Sequence, residues 1–244
     1  MSEPIISDSV KTLESIRSKA HWKTIFHPAY FKKDLISTLA QLRNLIAKCQ
    51  IGLTGWPFPI YFPEHISCHD DYIEMAVPYS GIVPREDYWK FYQSGQFLHY
   101  YVLTEDLTND LFFVKPIGLE SKQEIHIVSY QRIIYFVTQV FLFIKALAKE
   151  HIYDQACEID MGLHNVSGRL LVLTDPNLSG FMSKYICKDT KISYKRKYEC
   201  KEILMGAEGA AVDASIHFFE RFGRNESDSQ LPERIQKAFL SRKT

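Results

Sequence analysis

The sequence of 244 residues predicts an α+β fold in which a mixed or antiparallel sheet packs on one long apolar helix. Two observations lead to this prediction. The segment 127–149 is apolar around most of a helical circumference, and short segments of strand composition lie on both sides of it. A helix that is apolar nearly all round has to be covered on several sides. Strands from both halves of the chain are the natural cover, which predicts one structural unit.

The N-terminal part of the chain is predicted to be helical. Apolar residues recur every three or four positions over residues 9–23 and over residues 31–48, the spacing of a helix with one buried face. Pro28 lies between the two segments and interrupts the pattern, because proline lacks the backbone N–H of a helix interior. We therefore expect a helical N-terminal extension over residues 1–52.

A proline-rich segment, residues 53–63, marks the end of this extension. Its three prolines at or near alternate positions exclude both a helix and a central strand. The segment is expected to be extended and fixed by its aromatic side chains. An α+β domain over residues 53–244 is predicted to begin here, within the same structural unit.

The remaining elements follow from composition and periodicity. Aromatic and β-branched residues predict strands at 72–78, 96–103, 111–114, 156–163, 169–174 and 191–200. Helical spacing predicts helices at 86–92, 124–150, 207–222 and 232–242. Residues 165–168 lie between two predicted strands and predict a hairpin-like link.

The long helix does not have the composition of a membrane span. Only twelve residues separate Arg132 from Lys145, and Thr138 and Gln139 interrupt them, whereas a spanning helix needs about 20 apolar residues. The first residues show no basic segment followed by an apolar run. The five cysteines form no CxxC pair, a pattern typical of reduced thiols. A cytoplasmic protein without membrane contact is predicted.

The charge balance limits the classes of partner. Basic and acidic residues number 29 each, so the formal net charge is zero. A protein that binds nucleic acid over a broad surface usually has a basic excess, so any such binding must come from a local patch. Near-zero charge also favours self-association or a protein partner.

Residues 184–201 form the local basic patch. Seven basic residues and three tyrosines alternate there, and this combination can neutralise phosphates and stack on bases. The residues predicted to bind nucleic acid are Lys191, Tyr194, Lys195, Arg196 and Lys197. The same pattern is also typical of an edge strand that lysines protect from aggregation.

The same segment contains a possible nuclease constellation, Asp189 with Glu199 and Lys201. An Asp and a Glu-x-Lys on neighbouring strands can hold a divalent metal that activates water for phosphodiester cleavage. Such a pattern arises often by chance in lysine-rich sequence. Nuclease chemistry is therefore the alternative prediction.

A second possible metal site lies in the segment 65–71. His65, Cys68 and His69 are competent ligands for zinc or iron, but one loop rarely supplies a complete ligand set. A polar loop before a strand is the simpler interpretation. Because no Gly-rich phosphate-binding loop is present either, the sequence predicts no cofactor.

Aromatic clusters provide a third kind of candidate. Trp56, Phe58 and Trp89 are predicted to contact a partner, since tryptophan and tyrosine are enriched at interface hot spots. The alternative is that these side chains fix their loops onto the core. This alternative is favoured over partner recognition.

A series of short motifs spans residues 53–223. These motifs are Gly55-Trp56-Pro57-Phe58-Pro59, Tyr88-Trp89-Lys90-Phe91, Ser94-Gly95-Gln96-Phe97, Glu105-Asp106, Gly168-Arg169-Leu170-Leu171 and Phe222-Gly223. In this order they resemble the region that follows Schlafen AlbA-like DNA-binding modules in bacterial regulatory and defence-associated proteins. The module itself has no counterpart here, so no catalytic residue carries over.

The resemblance implies an accessory domain that senses a ligand or docks onto a partner. We therefore predict a non-enzymatic binding or adaptor subunit of a prokaryotic cytosolic complex. The antiphage-defence context is implied by the resemblance alone. A nucleic-acid-binding protein or metal-dependent nuclease that uses residues 184–201 is the alternative.

Overall fold

A computed structural model gives the structure, which describes residues 8–79, 85–108, 126–175, 178–226 and 230–241. The helices within these ranges are α1 (Asp8–Ser18), α2 (Leu39–Cys49), α3 (Tyr130–Lys149), α4 (Cys200–Arg221) and α5 (Leu231–Leu240). The strands are β1 (His21–Pro28), β2 (Ser67–Cys68), β3 (Tyr72–Val77), β4 (Asp87–Tyr92), β5 (Phe97–Val102), β6 (Ile127–Ser129), β7 (Ala156–His164), β8 (Leu170–Val172), β9 (Tyr185–Ile186) and β10 (Lys191–Glu199).

Seven of these strands form one antiparallel sheet in the order β10-β7-β1-β5-β4-β3-β2. A smaller sheet has the order β6-β8-β9, and its β6 and β8 are parallel. The large sheet packs against the long apolar helix α3. The predicted fold class, including an N-terminal helix, is confirmed.

The core lies between the large sheet and α3. Alternate residues of a strand point to the same side, and those of β1 place Trp22 and Phe26 against the helix. The Trp22 ring lies 4.8 Å from Phe136 between centroids, and the Phe26 ring lies 5.9 Å from Phe143. Helix α4 packs on α3, and α1 contacts β3, β4 and β5. Ile16 of α1 packs with side chains on the opposite face of those strands.

The helix predicted over residues 9–23 ends at Ser18 in the structure, and β1 follows it. Trp22, Thr24 and Phe26 are buried on one face of this strand, a period of two that favours a strand over a helix. β1 pairs with β5 on one side and β7 on the other. The N-terminal segment therefore contributes a strand to the middle of the large sheet, and the domain boundary at residue 52 stays a prediction.

Two other local predictions are wrong. Residues 86–92 were expected to form a helix, but Asp87–Tyr92 form β4, which pairs with β3 and β5. The predicted hairpin at 165–168 is a turn between two different sheets, because β7 pairs with β1 and β10 while β8 pairs with β6 and β9. Sheet pairing, which single-sequence patterns do not encode, decides both cases. The predicted strand at 111–114 lies outside the described residues.

Judged by its length and hydropathy alone, helix α3 could cross a membrane. However, 72% of its apolar window is buried inside the fold, where the sheet, α4 and α5 cover it. This is the arrangement of the core helix of a soluble α+β domain.

Candidate functional site

A cavity of about 290 Å³ lies between the large sheet and α3. Strands β1, β5 and β6 and helix α3 line it, together with Arg85, residues 103–105 and the loop that carries Thr54, Trp56 and Phe58. We call it the Trp56 cavity. Its lining combines side chains that lie far apart in the sequence, between positions 22 and 139, and ligand sites are typically concave spaces of this kind.

Aromatic rings form much of the wall of the Trp56 cavity. Phe136 of α3 stacks on Trp22 with 4.8 Å between centroids and on Tyr101 with 5.5 Å. Phe58 completes this wall and is 1% exposed. Trp56 is 38% exposed and therefore lies where the cavity meets solvent. Such a wall offers a flat apolar surface to a planar ring.

Two arginines bring positive charge to the cavity. Arg85 donates to Asp87 Oδ2 from Nε and Nη2 at 3.0 and 2.7 Å, and its guanidinium carbon lies 5.0 Å from the Tyr101 ring centroid. Arg132 is held more loosely, because its Nη1 lies 3.5 Å from Glu105 Oε2. The Arg132 side chain is 40% exposed, so its guanidinium is available to a ligand.

Two polar atoms of the cavity lining are incompletely satisfied. Gln139 Nε2 is buried and has no hydrogen-bond partner among the described residues. Glu105 Oε2 likewise accepts no hydrogen bond there and has only the long ion-pair contact with Arg132. A buried polar group without a partner destabilises a protein by about 1–3 kcal/mol. Such groups are rare in folded proteins and each one calls for an explanation.

The buried carboxylate of Asp87 holds Arg85 in position. Burial raises the pKa of Asp87, but interactions with His99 and Arg85 outweigh it and lower the pKa to about 2. The second oxygen of Asp87, Oδ1, lies 2.6 Å from His99 Nε2. Asp87 is therefore ionised over the physiological pH range and fixes the Arg85 guanidinium against Tyr101.

The predicted partner-contacting residues have different locations. Trp56 is at the rim of the cavity, but Phe58 and Trp89 are buried core side chains that a partner cannot reach. Trp89 is 0% exposed, and its Nε1 donates to the Ile60 carbonyl at 2.7 Å. The prediction that Phe58 and Trp89 contact a partner is therefore wrong, and the alternative that they fix their segments onto the core describes them.

The basic segment forms the edge strand β10. Lys191, Lys195 and Lys197 are exposed, whereas Tyr194 is 8% exposed and packs among core residues near α4. The prediction that Tyr194 stacks on bases is wrong, because a strand with one buried face turns alternate residues inward. Arg196 lies over the Tyr198 ring at 4.7 Å. Of the five residues predicted to bind nucleic acid, the three lysines and Arg196 are exposed, and Tyr194 is buried.

These lysines share a face with one more basic side chain. Lys23 of β1 and Ser193 of β10 both pair with Gly162 of β7, which places Lys23 on the same side of the sheet. We call Lys23, Lys191, Lys195 and Lys197 the lysine face. Asp160 and Glu158 lie opposite Lys195 and Lys197 in the register and lower the net positive charge there.

The alternative nuclease site is not assembled. Asp189 precedes β10, Glu199 is the last residue of that strand, and Lys201 lies in α4. Ten residues of extended chain separate the two carboxylates by roughly 30 Å. A single metal ion cannot contact both, so the prediction of metal-dependent cleavage by these residues is wrong.

The alternative metal site at 65–69 is not assembled either. His69 stacks on Tyr72 with 4.2 Å between centroids, and Cys68 Sγ accepts a hydrogen bond from Arg43 Nη2 at 3.3 Å. His65 lies in a 3₁₀ turn, Pro63–His65. Within the described part of the chain, no three His, Cys, Asp or Glu side chains are placed to share a metal ion.

Sequence reasoning missed Arg85, Arg132 and Gln139 as members of one site. The first two are ordinary charged residues in the sequence, and only the tertiary structure brings them together. Gln139 did carry a signal, since it interrupts the apolar stretch of the long helix. A polar residue at a core position of an apolar helix is informative because burial requires a partner for it.

Comparisons of the chain with protein-family models, with curated proteins and with solved structures find no match in any of the three. The resemblance to the region after Schlafen AlbA-like modules therefore stays a prediction.

Proposed function

We propose that this chain is a non-enzymatic binding subunit of a prokaryotic cytosolic complex, with the Trp56 cavity as its ligand site. The observation that carries the proposal is Gln139, whose buried Nε2, at the wall of a cavity, has no hydrogen-bond partner within the described ranges of the chain. The prokaryotic and antiphage-defence context rests on the sequence resemblance alone.

The buried amide of Gln139 lowers the stability of the fold as long as it has no hydrogen-bond partner. A leucine at position 139 would fill similar space without leaving an unpaired donor, so stability alone does not favour glutamine. Ligand sites characteristically combine mostly apolar walls with a few polar groups that fix the orientation of the ligand. The Trp56 cavity has both features, and a bound ligand that accepts a hydrogen bond would satisfy Gln139.

The proposal assigns no reaction to the chain. Two of the residues that the sequence offered for metal-dependent cleavage are far apart, because Asp189 precedes β10 and Glu199 is its last residue. The cavity lining instead supplies hydrogen-bond donors and aromatic surface, which recognise a ligand without breaking its bonds.

The ligand-site proposal can be tested by thermal unfolding against fractionated metabolite extract. We expect at least one fraction to raise the Tm of the natural protein, because a ligand that binds only the folded state stabilises it. Thr54→Trp should abolish this increase, since Thr54 is exposed at the cavity and a larger side chain there closes it. The matched control is Thr190→Trp, at an exposed threonine that does not line the cavity. An increase in Tm that Thr54→Trp leaves intact would contradict the proposal.

The subunit proposal requires a partner, either another protein or a second copy of this chain. Size-exclusion chromatography with light scattering tests self-association directly, and co-expression with the products of neighbouring genes tests the other case. A chain that remains monomeric and alone in both measurements would contradict the adaptor role, while the cavity test above would still decide whether a ligand binds.

The lysine face favours a second candidate function, contact with single-stranded nucleic acid. Three exposed lysines of one edge strand and Lys23 point to the same side of the sheet. It is the second candidate because Asp160 and Glu158 offset part of the positive charge, and because the tyrosines of β10 face the core.

A further inference from the structure

We infer that the ligand of the Trp56 cavity is a small planar ring compound that carries one anionic group. This inference rests on the proposed function and specifies its ligand. It follows from the distribution of unsatisfied donors, from the aromatic wall and from the two ion pairs at the cavity.

The aromatic wall selects a planar ring. Trp22, Tyr101 and Phe136 form a continuous stack, and Trp56 stands at the rim. Offset stacking on such surfaces adds to the simple burial of apolar area. A cavity of about 290 Å³ accepts one ring system with a short substituent. A folded peptide segment would be too large for it.

The unsatisfied groups select a ligand with acceptor atoms. Gln139 Nε2 is a donor without a partner among the described residues. Arg132 contributes further donors, since its one described ion-pair contact, with Glu105, is 3.5 Å long. Ring nitrogens, carbonyl oxygens or carboxylate oxygens of a ligand would satisfy these donors.

The position of the anionic group follows from a difference between two ion pairs, Arg85–Asp87 and Arg132–Glu105. Arg85 is committed to Asp87 through two short hydrogen bonds to one carboxylate oxygen. Arg132 is 40% exposed, and the ion pair that it forms among the described residues is the long contact with Glu105. A ligand anion can therefore bind Arg132 and share it with Glu105, whereas Arg85 is mostly buried and already has a carboxylate partner in Asp87. The anionic group lies at Arg132, and the ring extends toward Tyr101 and Gln139.

The test compares two probes that differ in charge but not in ring, together with a third probe that carries a phosphate. Indole-3-carboxylate and the neutral indole-3-carboxamide share one ring, and uridine 5′-monophosphate supplies a planar ring with a phosphate. Binding of each to the full chain is measured by isothermal titration calorimetry. We expect the carboxylate to bind about tenfold more tightly than the carboxamide, the effect of one charge-assisted hydrogen bond. Preferential binding of the nucleotide would identify phosphate as the anionic group and also support the inference.

Two variants separate this inference from the proposed function. Arg132→Gln should remove the preference for the charged probe, whereas Arg221→Gln, at an exposed arginine on α4, should preserve it. Gln139→Leu should weaken the carboxylate and the carboxamide alike. If the two indole probes bind with equal affinity and Gln139→Leu weakens both, the requirement for an anionic group is contradicted. The cavity would still be a ligand site in that case. Absence of binding by all three probes at millimolar concentration would overturn the ligand class.

Discussion

Arg169 and Asp106 form a bidentate ion pair, in which Nη1 lies 2.6 Å from Oδ1 and Nη2 lies 2.8 Å from Oδ2. Asp106 Oδ2 also accepts the backbone N–H of Ala20 at 2.9 Å, just before β1. Arg169 precedes β8 of the small sheet, so the pair joins the two sheets. Both residues belong to short motifs that are 63 positions apart in the sequence, and their contact brings the two motifs together.

Removal of one partner of this pair should destabilise the fold. Arg169→Met leaves the Asp106 carboxylate without its principal partner, and we expect a loss of about 3 kcal/mol in the free energy of unfolding, the lower end for buried pairs because Asp106 is partly exposed. Urea unfolding measures this change. The double variant Asp106→Leu/Arg169→Met should lose less than the sum of the single variants. Additive losses would contradict direct coupling between the two side chains.

Trp89 should contribute to stability and not to partner binding. Trp89→Ala removes a fully buried side chain, and we expect it to destabilise the fold by about 3–5 kcal/mol. Trp89→Phe keeps an aromatic ring but leaves the Ile60 carbonyl unpaired, with an expected loss of about 1–3 kcal/mol. Chemical unfolding of both variants distinguishes the contribution of volume from that of the hydrogen bond. Equal losses in the two variants would assign the whole effect to the hydrogen bond.

Gln139→Leu should leave stability unchanged or increase it by about 1 kcal/mol, because it removes a buried donor that has no partner in the described part of the chain. The same substitution should weaken ligand binding. Thermal unfolding without ligand and calorimetry with the indole probes measure the two effects separately. A large loss of stability would mean that Gln139 has a structural role, which would weaken the proposed ligand site. Gln236→Leu is a useful comparison, since Gln236 Nε2 already donates to Thr138 Oγ1 and the Glu208 carbonyl.

Acid should destabilise the fold through the stacked histidines His21 and His164, whose rings lie 5.0 Å apart. Burial, together with the neighbouring His21, Lys191 and Lys23, lowers the pKa of His164 to about 4 from 6.5. Burial also lowers the pKa of His21. Between about pH 4 and 6.5 the unfolded chain therefore binds more protons than the folded one, and stability rises with pH across this window.

The unfolding midpoint in urea at pH of about 5 and about 7 measures this dependence. His164→Gln should make the midpoint less sensitive to pH in that window. Asp87 acts at lower pH, because its lowered pKa gives stability that is lost only as the pH falls below about 3.8 toward 2. An unchanged pH dependence in His164→Gln would contradict a contribution from this histidine.

Binding of single-stranded nucleic acid by the lysine face should weaken as the salt concentration rises. The triple variant Lys191→Gln/Lys195→Gln/Lys197→Gln should reduce the slope of log affinity against log salt by about 2, since each phosphate contact contributes about 0.7. Fluorescence anisotropy with a labelled oligothymidylate measures this slope. Lys11→Gln/Lys32→Gln/Lys33→Gln removes the same charge from other exposed positions and should have little effect. Equal slopes in both triple variants would exclude a specific role of the lysine face.

Local patterns were sufficient to predict the main elements of the fold. The apolar segment 127–149 required cover on several sides, and the alternating residues of 191–200 predicted β10. Both signals are strong because they depend on burial, which repeats with the period of the element. The burial of Gln139 in the apolar helix could also be expected from the sequence, although its unpaired state could not.

The pairing of distant segments was decided by the tertiary structure alone. β1 could be taken for the end of a helix because its alternation spans only a few residues, and its place between β5 and β7 depends on contacts far away in the sequence. The same holds for Arg85, Arg132 and Gln139, which no local pattern connects. A long apolar helix can be recognised from its own residues, but a cavity is formed by the space between elements, and that space exists only after the sheet and the helix have packed.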